Sequence, residues 1–251
     1  MGRALAQEFG EARAVFAAVD EALDQKLSQL MWDGPESELT LTENAQPAIM
    51  ANAIAVLRVL EKECGIRLAD KADFVAGHSL GEYSALCAAG ALDLSTTAKL
   101  LKQRGQAMQA AVPVGKGAMA AILGADRAKA QEIADAAAEG QVCSVANDND
   151  PGQVVISGAK DAVERAVPLA KEMGAKRAVL LPVSAPFHCP LMQPAADVME
   201  KALAEAEIRA PLVPVYANVT AAPVADPQAI RALLVEQVTG MVRWRESVIA
   251  M

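Results

Sequence analysis

The chain has 251 residues, 53% of them hydrophobic and 22% charged, with a formal net charge of −8 and a pI near 4.9. That length and balance describe a soluble globular protein built as one large domain or as a domain with a smaller insert. An aromatic content of 3% leaves little for stacking bases, and the acidic balance lacks the basic footprint that phosphate backbones need, so nucleic acid is excluded as a partner.

In chain order, residues 3–32 predict helix with a break near Gly10. A long amphipathic helix is expected from Gln46-Pro47 to Cys64, with Pro47 in its first turn and Gly65 as its cap. Residues 73–77 predict a strand, followed by helices over 81–90 and 95–112, the second ended by Pro113. The pattern then changes. Strand 117–123, a helix over 126–138 with Asp126 as N-cap, strands 142–147 and 153–158 around the turn cluster Asp148 to Gly152, helix 160–173 and strand 176–182 follow one another. That order, β-α-β-β-α-β, is the ferredoxin-like split βαβ arrangement. A helix over 191–207, a short strand Val213 to Ala217, and helices near 227–238 and 243–251 complete the chain.

The expected fold is therefore α/β. A large α/β-hydrolase-like subdomain with a mostly parallel sheet (1–114 and 185–251) carries a small ferredoxin-like subdomain (115–184). The most apolar stretches are short or interrupted by charge, so no membrane span is expected. Cys64, Cys87, Cys143 and Cys189 show neither a C-x-x-C pair nor metal-ligand spacing, so no metal site is predicted. Cys64 and Cys87 fall in apolar helical patterns, where a small buried hydrophobe is expected. Reduced thiols and the lack of a signal peptide point to the cytoplasm.

The chemistry begins at Gly77-His78-Ser79-Leu80-Gly81, a G-x-S-x-G pentapeptide between an apolar strand and a helix. In that setting it predicts a nucleophile elbow, with glycines at both ends of a sharp turn that lifts the serine hydroxyl clear of the sheet. The helix that follows aims its first N–H groups at charge developing beside the serine. A serine needs a base, and the chain has two histidines. His78 adjoins Ser79 and should point away from it, which suits a supporting or substrate-touching role. His188, in the Pro-flanked run Ser184 to Met192, is the expected base. No acidic residue stands where a third triad member would orient it; Asp197 and Glu200 read as solvated helix positions. An α/β-hydrolase would also place its acid between serine and histidine in the chain.

Further segments occur in one order with the pentapeptide: Gly77 through Leu86, Gln103-Arg104-Gly105 with Met108-Gln109, Gly117 through Ile122, Asn147 through Gly158, and Ala185-Pro186-Phe187-His188. Over nearly its whole length the chain resembles the bacterial malonyl-CoA:acyl carrier protein transacylases of type II fatty acid synthesis. The resemblance implies a ping-pong acyltransferase with no cofactor, whose partners are malonyl-CoA, coenzyme A and acyl carrier protein, acting as a monomer. It assigns Ser79 as the residue that becomes the malonyl ester and His188 as base and acid. The imidazole is oriented by the backbone carbonyl expected at Gln237, which accounts for the missing acid. Arg104, read from the residues alone as a solvated helix charge, becomes the clamp on the malonyl carboxylate, a match of guanidinium fork to carboxylate. The Leu80 N–H is the expected oxyanion donor. Leu80 and Phe187 are the residues typical of malonyl over methylmalonyl selectivity, and His78 and Asn147 complete the substrate-binding set.

The same resemblance implies a preceding strand with a Gly-Gln-Gly-Ser-Gln segment and a following strand with a Gly-Pro-Gly-type loop. Neither is in these residues, so the chain is expected to be a piece of a longer protein with impaired activity by itself. An acidic carrier protein needs a locally basic face; Lys171, Lys176 and Arg177 are the candidates. The alternatives are a serine esterase or thioesterase, which has no use for Arg104, a fragment that only binds carrier protein, and an acyltransferase domain of a polyketide synthase.

Overall fold

The computed structural model describes residues 1–251. The elements run α1 (Arg3–Glu8), α2 (Gly10–Leu23), α3 (Leu27–Asp33), α4 (Glu36–Leu39), α5 (Thr42–Cys64), α6 (Leu68–Lys71), β1 (Val75–Ala76), α7 (Leu80–Ala88) and α8 (Leu94–Ala111). There follow β2 (Gly117–Leu123), α9 (Arg127–Ala138), β3 (Cys143–Asp150), β4 (Gln153–Ala159), α10 (Lys160–Glu172), β5 (Arg177–Leu180), a 3-10 turn Pro190–Met192, α11 (Gln193–Glu205), β6 (Val215–Ala217), β7 (Ala222–Val224), α12 (Pro227–Thr239) and α13 (Trp244–Ala250). They form two compact units. One holds residues 1–106, 201–216 and 223–231; the other holds 107–200, 217–222 and 232–251. The segment 115–184 lies wholly within the second.

In the first unit α2 packs on α5, and α5 packs on α7. The buried face of α5 repeats at Pro47, Ala51, Ile54 and Ala55, the three-and-four spacing of an amphipathic helix. This helix starts a turn earlier than its proline suggests. Asn44 and Ala45 N–H both bond the Leu41 carbonyl at 2.8 Å, so Pro47 sits inside the helix. Gly65 ends it in the left-handed region at φ 62°, where glycine has no Cβ to clash. Cys64, expected to be buried, is exposed beside this cap, while Cys87 is buried. β1 pairs in parallel with β6, in the order β1-β6-β7.

The second unit is built on a four-stranded sheet of order β3-β4-β2-β5, with β2 antiparallel to both β4 and β5 and β3 antiparallel to β4. This is the split βαβ arrangement: the first and last strands of the motif are neighbours, and the central hairpin lies on one side. Alternate residues of the strands (Ala120, Ile122, Val154, Ile156) turn one face onto α9 and α10, against Ile133, Ala134, Val163 and Ala166. Asp126 caps α9 through a bond from the Lys129 N–H at 2.8 Å. The opposite face buries Met119, Ala121, Ala146 and Val155, with Phe187 packed on them.

Candidate active site

The serine-bearing part lies in the first unit. β1 leads into Ser79, which stands at φ 55°, ψ −112° as the residue before α7. A non-glycine residue held there is strained, a state that surrounding structure must enforce. Gly77 makes the turn possible: a Cβ on it would lie 1.9 Å from the Gly81 carbonyl oxygen. Gly81 has open space where its Cβ would be, so only the first glycine of the pentapeptide is required by contact. Gly81 N–H bonds the His78 carbonyl at 2.9 Å and Glu82 N–H bonds the Ser79 carbonyl at 3.0 Å. The Leu80 N–H opens the helix, with no carbonyl behind it in the helical ladder. His78, Ser79 and Leu80 are half-buried.

Arg104 is not a solvated charge. It is 1% exposed. Its Nη2 donates to Ser79 Oγ at 3.0 Å and its Nη1 to Gln46 Oε1 at 2.7 Å. Gln46 in turn donates from Nε2 to Thr42 Oγ1 at 2.9 Å, one turn back on α5. The guanidinium carbon stands 5.7 Å from the centroid of the Tyr83 ring. α8 can bring Arg104 this close because residue 105 is glycine: a Cβ there would sit 2.4 Å from Glu43 Cα. Burial pushes the Arg104 pKa down, opposed by Tyr83 and by the buried Glu82. The group still carries its charge at neutral pH. Burial likewise pushes the Tyr83 phenol up to about 12. Gln46, Glu82 and Tyr83 were not singled out from the sequence. Gln46 left one signal, a polar side chain on a helix whose other buried positions are mostly apolar.

The histidine-bearing part lies in the second unit. His188 is 3% exposed and adopts φ 57°. Its loop is seated by Pro186, whose ring fills the space over Gly117; a Cβ on Gly117 would be 2.3 Å from Pro186 Cγ. Cys189 locks the same loop, its thiol donating to the Pro186 carbonyl at 3.1 Å. Burial raises the Cys189 pKa, so it stays a neutral thiol. His188 Nδ1 lies 2.9 Å from the Gln237 carbonyl oxygen. A carbonyl only accepts, so Nδ1 carries the proton and the other ring nitrogen, Nε2, is left basic. Gln237 is buried, and its side-chain amide donates to Asn218 Oδ1 at 3.5 Å. Asn147 is buried on β3, where the register with β4 shifts. Lys171, Lys176 and Arg177 are exposed at the end of α10 and the start of β5.

No group of three or more His, Cys, Asp or Glu side chains is gathered to hold a metal. No helix is long and apolar enough to cross a membrane.

The sequence pattern of the acyl transferase domain family matches residues 1–251. Malonyl CoA-acyl carrier protein transacylase of Bacillus subtilis is 47% identical over 99% of this chain and 77% of its own length. An acyl-carrier-protein-S-malonyltransferase from Bartonella henselae superposes with a TM-score of 0.96 at 56% identity, covering 100% of this chain and 79% of that one. A malonyl-transacylase solved in complex with its type II PKS acyl-carrier protein superposes with a TM-score of 0.95 at 43% identity, covering 100% and 80%.

Proposed function

The chain belongs to the acyl transferase domain family, and from that membership we infer that it moves a malonyl group from malonyl-CoA to the phosphopantetheine thiol of an acyl carrier protein. The observation that carries the reading is the buried guanidinium of Arg104 against Ser79 Oγ. An esterase for neutral acyl groups gains nothing from a buried cation beside its nucleophile. An acyl group that ends in a carboxylate does: the fork of donors fits it bidentately, and the desolvation already spent on Arg104 strengthens the pairing.

The proposed reaction is ping-pong. His188 Nε2 takes the Ser79 hydroxyl proton as Oγ attacks the thioester carbonyl. The tetrahedral oxyanion is met by the Leu80 N–H at the head of α7. The carbon–sulfur bond breaks, the departing coenzyme A sulfur takes the proton from His188, and a malonyl ester remains on Ser79. The carrier protein's thiol then gives its proton to Nε2 and attacks that ester, and Ser79 recovers its proton as the new thioester leaves. The Gln237 carbonyl supports His188 in both directions, because it accepts from Nδ1–H whether the ring is neutral or cationic. His78, Phe187 and Asn147 are assigned to the acyl pocket. In this reading Phe187 is assigned to fill the space an α-methyl group would need, which favours malonyl over methylmalonyl. Lys171, Lys176 and Arg177 are assigned to the carrier protein's acidic surface. The reading carries with it a monomer that works in the cytoplasm without metal or cofactor.

Intact-protein mass spectrometry after mixing with malonyl-CoA tests it. The expected result is a malonyl-sized adduct that is absent from Ser79→Ala. A folded protein that gives no adduct with malonyl-CoA but acylates from acetyl-CoA would overturn the malonyl assignment.

A further inference from the structure

The proposed chemistry depends on one backbone carbonyl, that of Gln237, and a helix does not ordinarily leave a carbonyl free for a side chain. Each carbonyl in a helix bonds the N–H four residues on; only the last four are released. α12 ends at Thr239, with Gly240 N–H closing its last turn on the Glu236 carbonyl at 2.8 Å. Had the helix run one residue further, the Met241 N–H would have taken the Gln237 carbonyl and His188 would have lost its partner. The residues that follow are instead drawn away to the edge of β3. Val242 N–H donates to the Ala146 carbonyl at 2.9 Å, and Asp148 N–H donates to the Val242 carbonyl at 2.9 Å. Val242 thus lies beside Asn147 as a single parallel rung. Arg243 N–H bonds the Asn218 carbonyl at 2.9 Å, and Asn218 also receives the Gln237 side chain.

This short strap is fastened at its far end by a fork. Arg245 Nε donates to both Asp148 oxygens, at 3.0 and 3.1 Å, and Nη2 donates to Oδ2 at 2.8 Å. The Asp148 side chain is 0% exposed, while Arg245 retains 28%. Two backbone rungs alone hold an edge segment weakly; a two-pronged charge-assisted pair on a buried carboxylate fixes both its distance and its angle.

We propose that the Asp148–Arg245 pair is the latch that ends α12 at Thr239 and holds the Gln237 carbonyl against His188, which makes Asp148 a positioning residue for the base. The assignment rests on His188 being the base, but its hydrogen bond can be read without any turnover. The chain has two histidines, so nitrogen NMR of the labelled full chain shows two imidazoles. Wild type is expected to give one imidazole protonated at Nδ1 with a slowly exchanging, far-downfield proton. Asp148→Asn keeps the shape and removes the charge. It is expected to abolish that proton signal, to mix the two tautomers, and to slow sulfonylation of Ser79 by phenylmethylsulfonyl fluoride by roughly 10-fold, part of the 100-fold or more that a positioned base contributes. Arg245→Lys keeps the charge without the fork and should fall between the two. Both variants folded, with the wild-type imidazole signals and the wild-type sulfonylation rate, would overturn the latch. If Asp148→Asn does not fold, Arg245→Lys decides alone, and wild-type behaviour there has the same consequence. A wild-type protein that is not sulfonylated would count against the base assignment, while the imidazole signals would still decide the latch.

Discussion

Arg104 and Ser79 are joined by a 3.0 Å hydrogen bond from a guanidinium nitrogen to the hydroxyl oxygen, with the arginine buried and the serine half-buried. The cation is anchored on its other side by Gln46 at 2.7 Å. Its position is thus set before any substrate arrives, so little ordering cost remains to be met on binding.

Removing the guanidinium should separate malonyl from acetyl transfer. A hydrogen bond to a charged group contributes about 1.5–3 kcal/mol, and a fork supplies two. Arg104→Ala is expected to lower kcat/KM for malonyl-CoA by roughly 100-fold or more while leaving acetyl-CoA within a few-fold. Arg104→Lys should not restore malonyl use, because a point charge lacks the fork. Steady-state assays with both thioesters, alongside a melting curve, check this. Parallel loss of both activities without a change in Tm would count against the clamp.

Gly105→Ala tests how the clamp is built. The new methyl would meet Glu43 Cα at 2.4 Å and the Thr42 carbonyl at 2.7 Å. Both are backbone, which cannot step aside, so α8 must move off the N-terminal turn of α5. That turn carries Thr42 and Gln46, which hold Arg104. The expected outcome is a lower Tm together with a raised KM for malonyl-CoA, by contrast with a surface Gly→Ala, which would be neutral or stabilising.

The second unit was legible because its signals are local. Alternation with period two, the Pro151-Gly152 turn and the Asp126 cap each act within a few positions, and β2 spans the predicted 117–123, whereas β3 runs on to Asp150, past its expected end at 147, because Asp148 and Asp150 still pair with β4. α5 was misplaced at its start for a related reason: Pro47 is a strong local sign of a first turn, but bonds from Asn44 and Ala45 to Leu41 carry the helix back past it. The burial of Arg104 was not legible in its own surroundings. An arginine on an amphipathic helix ordinarily faces water, and its partners Gln46 and Ser79 lie 58 and 25 residues away. The Gln237 carbonyl carries no side-chain signature at all; only the family resemblance pointed to it. Asp148 and Arg245, 97 residues apart, were visible as a turn residue and a helix charge, with nothing in the chain to join them.

Tyr83 gives a pH prediction with a definite sign. Its phenol is pushed up to about 12 in the folded protein, mainly by burial, against about 10 in an unfolded chain. Between those values the native state holds a proton that the unfolded state has released, so stability falls as pH rises from about 10 and the loss is complete near 12. Two units correspond to about 3 kcal/mol. Cys143, raised to about 11 mainly by burial, adds a loss of comparable size that begins near pH 9. Denaturant unfolding from pH 8 to 11.5 should show this decline, and Tyr83→Phe should flatten its upper part. An identical decline in Tyr83→Phe would show that the phenol is not the group responsible.

The carrier-protein surface can be tested apart from the chemistry. Lys171, Lys176 and Arg177 are exposed. On a chain of net charge −8 their proposed role is that of a local basic face, which would raise the encounter rate with an acidic partner and lose that effect as salt screens it. Lys176→Glu combined with Arg177→Glu should therefore lower kcat/KM for carrier protein about 10-fold or more at low salt. The difference from wild type should shrink as ionic strength rises above about 0.15 M. Formation of the malonyl ester from malonyl-CoA should be unchanged in the same variant, because that half-reaction needs no carrier protein. Gly124 lies under the aliphatic stem of Lys176, so close that a Cβ on it would be 2.5 Å from Lys176 Cγ. The stem at 176 therefore packs as well as carries charge, and Lys176→Gln is the control that keeps most of that stem while removing the cation. If Lys176→Gln with Arg177→Gln weakens carrier-protein use less than the Glu pair does, charge is the cause. Equal loss in both half-reactions would assign these residues to the fold instead.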